Sequence, residues 1–276
     1  MAVATDPNPR IPFFLRFTTW VECVVVFAAA AVSFISPALF NRLWAWAPPP
    51  FNARYVGAVY FAALVPLLIM AVVGRWAPGR IVLWMIFTFT TSIMIVMFFH
   101  YREFEWGRWA TWGFWFLYIF LPINSAYFLY RLRGWPPSLS RPLPSPWSGL
   151  LSVAAVLLGV YGLALLVVPE AATSFWPWGV DAFHGRIYAA TFVTPAVGAW
   201  LIRQRGARWE YITLGLTLAT LGFFSIVGTV WTSATVPPER KVIYAAVGTI
   251  AFMLMNLALL TAGGGIALRG GRAQES

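Results

Sequence analysis

Long apolar runs alternate along the chain with short segments that hold nearly all of its charge. Runs able to cross ~30 Å of hydrocarbon at about 1.5 Å per residue occupy approximately 16–36, 54–74, 80–99, 109–130, 148–168, 186–203, 211–231 and 242–262. The pattern predicts an all-α integral membrane bundle of eight transmembrane helices. A basic start followed by an apolar run ending in "AAAAVSF" would also suit a secretory signal, but residues 16–36 have a counterpart deep inside the chain.

That counterpart emerges on shifting the sequence by 132 residues. "SPALFNRLWAWAPPPFNARYVGA" then falls on "VPEAATSFWPWGVDAFHGRIYAA", with identities Pro37/Pro169, Trp44/Trp176, Trp46/Trp178, Phe51/Phe183, Arg54/Arg186 and Ala58/Ala190. Tryptophan rarely matches by chance, so the spacing predicts two tandem four-helix repeats. Four spans per half is an even number, which gives both halves the same orientation, related by an axis along the membrane normal. The organisation is therefore a first four-span repeat over 1–130, a Pro/Ser-rich cytoplasmic linker over 131–148, and a second four-span repeat with a short cytoplasmic tail over 149–276. The prolines and serines of the linker are expected to forbid a helix there.

Composition agrees with a membrane protein: 60% of the 276 residues are hydrophobic and only 10% charged, too few charges to cover a soluble domain of this length. The formal charge is +10, carried by arginine with Lys241 the lone lysine. No basic run or phosphate-binding glycine loop accompanies it, so nucleic acid is not an expected partner. Arg10, Arg16, Arg75, Arg80, Arg131, Arg133, Arg141, Arg203, Arg205, Arg208, Arg269 and Arg272 fall on one side; Arg42, Arg54, Arg102, Arg108, Arg186, Arg240 and Lys241 fall on the other. The positive-inside rule places the richer side, with both termini, in the cytoplasm of a bacterial cell. A single cysteine, Cys23, excludes an internal disulfide and cysteine-based metal clusters.

Each W-x-W loop begins with a proline suited to the first turn of a helix. Ser36 can cap the first loop's helix, and Glu170 lies in the first turn of the second, at the positive end of the dipole. Two short helices along the outer interface are expected, with Trp44, Trp46, Trp176 and Trp178 as membrane anchors and Arg54 and Arg186 opening the next spans. Those six residues serve either as anchors or as two symmetric pockets for an anionic or aromatic ligand. The W-x-W string followed by arginine and a small-residue helix resembles a pattern of uncharacterised bacterial multi-pass membrane proteins; it covers about twenty residues of each half and implies a fold, with no activity attached.

Within the spans, Glu22 lies six residues beyond Arg16, roughly 9 Å from the inner end. Asn124 and Asn256, paired by the same 132-residue shift, lie at a similar depth. Unpaired polar atoms in hydrocarbon cost several kcal/mol each, so one shared polar layer near the two-fold axis is expected, either as helix glue or lining a cavity. Pro66, Pro122 and Pro195 are expected to kink their spans. His100 and His184 fall at outer span ends, unrelated by the repeat, and read as interfacial residues. No paired intramembrane carboxylates or nucleophile motif is present, and no cofactor is assigned. Three functions follow in order: an accessory or scaffold protein contacting lipid, a membrane-protein partner or a second copy of itself; a small-solute transporter or channel with a cavity between the repeats; and an interfacial enzyme acting on a lipid or quinone.

Overall fold

Proline marks the start of five helices, because its fixed φ and missing N–H suit the first turn. Pro12 and Pro144 immediately precede α1 (Phe13–Ile35) and α6 (Ser145–Val167), and α2 (Pro37–Leu43), α3 (Pro50–Val73) and α7 (Pro169–Ala172) open on proline itself. The remaining helices are α4 (Trp76–Phe99), α5 (Trp109–Arg131), α8 (Ala182–Ile202), α9 (Arg208–Thr232) and α10 (Ile243–Gly265). The computed structural model describes residues 6–135, 141–233 and 243–270. The linker differs from expectation at its end, since α6 already begins at Ser145 with Pro146 in its first turn, where no N–H partner is needed. α3, α5 and α8 continue through Pro66, Pro122 and Pro195.

Seven helices are long and apolar enough to cross a membrane: α1, α3, α4, α5, α6, α9, and Ala246–Leu268 at the end of the chain. α8, expected as one of eight spans, is 21 residues long but carries His184, Arg186, Thr191, Thr194 and Pro195, which lower its apolarity below the other seven. Packing explains why it tolerates them. Fifteen of its residues are buried, among them Tyr188, Phe192 and Ala199, and it packs against α4, α6 and α9. A helix surrounded by protein has little need of a lipid-compatible surface.

The long helices fall into two groups. The core stretches of α3 and α9 are 61% and 56% buried, whereas those of α1 and α6 are 28% and 22% buried and expose large apolar side chains such as Val24, Phe27, Val156 and Leu163. α3, α4, α8 and α9 thus form an inner quartet, with α3 against α9 and α4 against α8. α1 packs on α3, α5 on α4, α6 on α8 and α10 on α9. Small residues permit the closest approaches. A methyl group at Gly57 of α3 would lie 2.7 Å from Phe34 Cβ of α1, and one at Gly162 of α6 would lie 2.6 Å from Val193 Cγ2 of α8. The starts of α1 and α6, α2 and α7, α3 and α8, and α4 and α9 are each 132 residues apart.

At one end of the bundle, the segments preceding α1 and α6 are tied down in the same manner. Arg10 bridges Arg75, with Ile11 N–H donating to Gly74 O at 3.1 Å; Arg141–Pro142 pairs with Arg205–Gly206, with Leu143 N–H donating to Gln204 O at 3.1 Å. Gly74 ends α3 at φ +61°, a conformation glycine reaches without strain. At this end Arg80 of α4 holds Glu210 of α9 through two bonds of 2.7 and 3.0 Å, and Glu210 also accepts from Ala207 N–H, so its buried carboxylate is fully engaged.

Candidate functional site

The opposite end is closed by the W-x-W loops. The short helices α2 and α7 form as expected, although Ser36 makes no side-chain cap, and the tryptophans follow them rather than lying within them. They are not an outer belt. Trp46 and Trp176 are buried, Trp44 and Trp178 half-buried, because each loop folds back over the bundle end. Trp44 stacks on Phe40 at 4.5 Å and meets Tyr60 edge-on. Trp176 stacks on Tyr188 and donates to Tyr161 Oη at 2.7 Å. Indole brings a large apolar surface and one N–H that needs a partner, so this placement suits it inside protein as well as at an interface.

The two halves exchange contacts across this end. Trp46 packs edge-on against Phe183 at 5.2 Å, and Trp178 stacks on Phe51 at 3.3 Å. Arg54 Nη1 donates to Thr232 Oγ1 at 3.4 Å, and Arg186 Nη1 donates to His100 Nε2 at 2.9 Å. Adding 132 to the first-half partner and subtracting it from the other converts each contact into its companion. Arg186 Nε also donates to Leu166 O at the end of α6. Both arginines therefore have protein partners at this end.

His184 is the polar centre of the plug, and its role was not legible from spacing. Asp181 caps α8 by accepting from His184 N–H at 2.8 Å, and its other oxygen lies 2.7 Å from His184 Nδ1. Trp46 Nε1–H donates to His184 Nε2 at 3.1 Å. Indole can only donate, so Nε2 must accept, and the ring proton sits on Nδ1 facing the carboxylate. Burial alone would raise the Asp181 carboxyl, but the side-chain and backbone bonds from His184 hold it below the ordinary carboxylate range. His100 is pushed below the ordinary histidine value, first by burial and then by the adjacent Arg186, with Glu103 and Asp181 opposing. The Asp181–His184 pair has the form of an acid–base dyad, yet the nitrogen that would do the work is occupied by Trp46.

Below the plug, midway along the helices, lies a cavity of about 100 Å³. Its walls come from α1, α3, α4, α5, α8 and α9, and include Glu22, Tyr60, Phe89, Tyr118, Thr194 and Thr217. A second cavity of about 20 Å³ lies between it and Trp46, sharing Val59, Tyr60, Phe89 and Thr191 with the first. Glu22 is only 9% exposed and makes no hydrogen bond or ion pair with any described residue. The expected polar layer does not assemble as a network: Asn256 Nδ2 donates to Phe252 O of its own helix at 2.8 Å, and neither Asn124 nor Asn256 lines the cavity. An amide bonded to its own i−4 carbonyl needs no partner across the bundle. Tyr60 and Tyr118, whose hydroxyls meet at 3.1 Å, were missed in the sequence because tyrosines in aromatic-rich helices carry no distinguishing spacing.

Among the described residues no group of three or more His, Cys, Asp or Glu side chains could hold a metal ion. No family model, curated protein or solved structure matches this chain.

Proposed function

We propose that this polytopic membrane protein binds a small, largely apolar solute in the cavity between two equivalent four-span halves, as a transporter or carrier of that solute would. The observation that carries the reading is the cavity itself, which both halves line at mid-bundle depth and whose wall includes Glu22, without a partner among the described residues. A lipid-contacting scaffold has no use for a buried carboxyl without a partner, since such a group costs stability.

The tandem arrangement is supported by the recurring 132-residue interval between helix starts and by the crossed pairs Arg54–Thr232 and Arg186–His100. An exchange of that form is what a two-fold axis along the membrane normal produces, with eight spans and α8 as the sixth. The arginine-rich end bearing Arg16, Arg75, Arg80 and Arg208 then faces the cytoplasm together with both termini, and the W-x-W plug faces outward, in the inner membrane of a bacterial cell.

The test is occupancy. A cavity of about 100 Å³ is somewhat smaller than one of ~150 Å³ that holds benzene. Purified protein titrated with 3-methylbutanol should show a saturable rise in thermal stability, and Thr191→Phe, which fills the space from α8, should abolish that rise. Equal stabilisation of both proteins, or of neither, would return the accessory, lipid-contacting role to first place.

A further inference from the structure

We infer that the solute class is a small lipophilic amine in its protonated form, held by Glu22; this rests on the cavity reading above. The polar atoms on the wall are mostly acceptors. Thr90 Oγ1–H donates to Ile86 O and Thr217 Oγ1–H to Thr213 O, both at 2.7 Å, so their hydrogens are consumed and their lone pairs remain. Tyr60 and Tyr118 spend one hydroxyl hydrogen on each other. Thr194 Oγ1 is buried with no partner. Glu22 adds two carboxyl oxygens, and no arginine, lysine or histidine lines the cavity to oppose them.

A carboxyl in such surroundings either keeps its proton or takes a cation with it. An alkylammonium supplies the missing charge and N–H donors to Glu22 and the few hydroxyl oxygens, while its hydrocarbon meets the apolar side chains that make up most of the wall, such as Val26, Leu67, Met85 and Leu221. The ring of Phe89 and the two phenols add faces that favour a cation. A bare alkali ion fits less well, because it needs five or six oxygens around one point and the wall is dominated by carbon. An anion would meet the Glu22 carboxyl with no positively charged side chain among the described lining residues to offset it.

The experiment compares three probes of one shape: 3-methylbutylamine, 3-methylbutanol and 3-methylbutanoate, with sodium chloride as a fourth arm, each titrated against purified full-length protein by thermal shift. The amine should bind about tenfold or more tightly than the alcohol, the expected gain from a charge-assisted bond, and the carboxylate should not bind. Glu22→Gln should reduce the amine to the level of the alcohol and leave the alcohol unchanged. If that variant fails to fold, the order of the probes on the wild-type protein decides. Alcohol binding as tightly as the amine, binding of the carboxylate, or a response to sodium alone overturns the amine assignment, while the first of these outcomes leaves a solute cavity in place. Binding by none of the four overturns both.

Discussion

The two crossed tryptophan contacts at the plug look alike in outline and differ in what secures them. Trp46 is fixed by a hydrogen bond to His184, which Asp181 in turn orients. Trp178 occupies the equivalent place in the other half but lies flat on Phe51, and its indole nitrogen has no partner among the described residues. The cause is local. Where the second half has Asp181 and His184, the first has Pro49 and Asn52, and proline opens a helix without an acceptor side chain. One contact is thus directional and the other purely a matter of area. The two positions, 132 residues apart, share the ring and differ in its fastening. The directional side is also the side that covers the cavity, since Trp46 lines the smaller void and Trp178 does not.

Replacing each ring by alanine should separate the two most sharply. Trp46→Ala removes a buried indole and leaves His184 Nε2 without its donor, a loss of about 3–5 kcal/mol. Trp178→Ala, at a half-buried site without a hydrogen bond, should cost clearly less. Labelling of the single, buried Cys23 by a thiol reagent during a thermal ramp reads both, and equal losses would erase the distinction. Asp181→Ala follows, at about 1–2 kcal/mol, through loss of the α8 cap and of the histidine's orientation. His184→Asn, which copies the first half, should leave the ring packed while removing its preference for one orientation, visible as a broader tryptophan emission.

Acid should act on this end in one direction. The folded protein holds His100 below its ordinary value of 6.5, so it binds that proton less readily than the unfolded chain. The contribution to stability is complete above 6.5 and is lost as pH falls from there to the lowered folded value. Asp181, held below its ordinary 3.8, contributes fully above that value and loses its share as pH falls through the folded one. The share of stability that His100 supplies should therefore be lost below about pH 6.5, so that the gap in melting temperature between the wild-type protein and His100→Gln narrows as pH falls. A gap between the two proteins that stays constant from pH 7 to 5 would contradict this. The smallest effect belongs to Thr232→Val: the Arg54 contact is long at 3.4 Å, so the loss should stay under about 1 kcal/mol, against a larger one for removing the 2.9 Å acceptor at His100.

The sequence carried the helical architecture because hydrocarbon imposes a length and a composition that can be read residue by residue. α1, α3, α4, α5, α6, α9 and the final stretch Ala246–Leu268 follow from that rule. It fails for α8, whose environment is other helices, and the reason can be seen in Arg186 and His184, both satisfied by protein. The candidate site was legible only in fragments. Glu22 stood out because an acidic residue at that depth is costly anywhere. Asn124 and Asn256 stood out for the same reason, but a carbonyl one turn back on its own helix satisfies Asn256, a partner that depth alone does not reveal. The tryptophans were recognised as shared, but their burial within protein was not legible, since indole suits an interface and an interior equally. The Asp181–His184–Trp46 chain joins residues more than 130 positions apart, and no periodicity links them.

The shielding of α8 bears on how the protein enters a bilayer. On the eight-span reading, an arginine and a histidine near one end, with two threonines and a proline further along, make this segment a poor candidate for partitioning into lipid by itself, where each charged group near a helix centre is penalised by about 2.5–3.5 kcal/mol. Its neighbour α6, by contrast, is long and apolar enough to cross a membrane and presents Leu166 O to receive Arg186. On that reading, insertion of α8 as a hairpin with α6 would spare its polar side chains from meeting lipid alone.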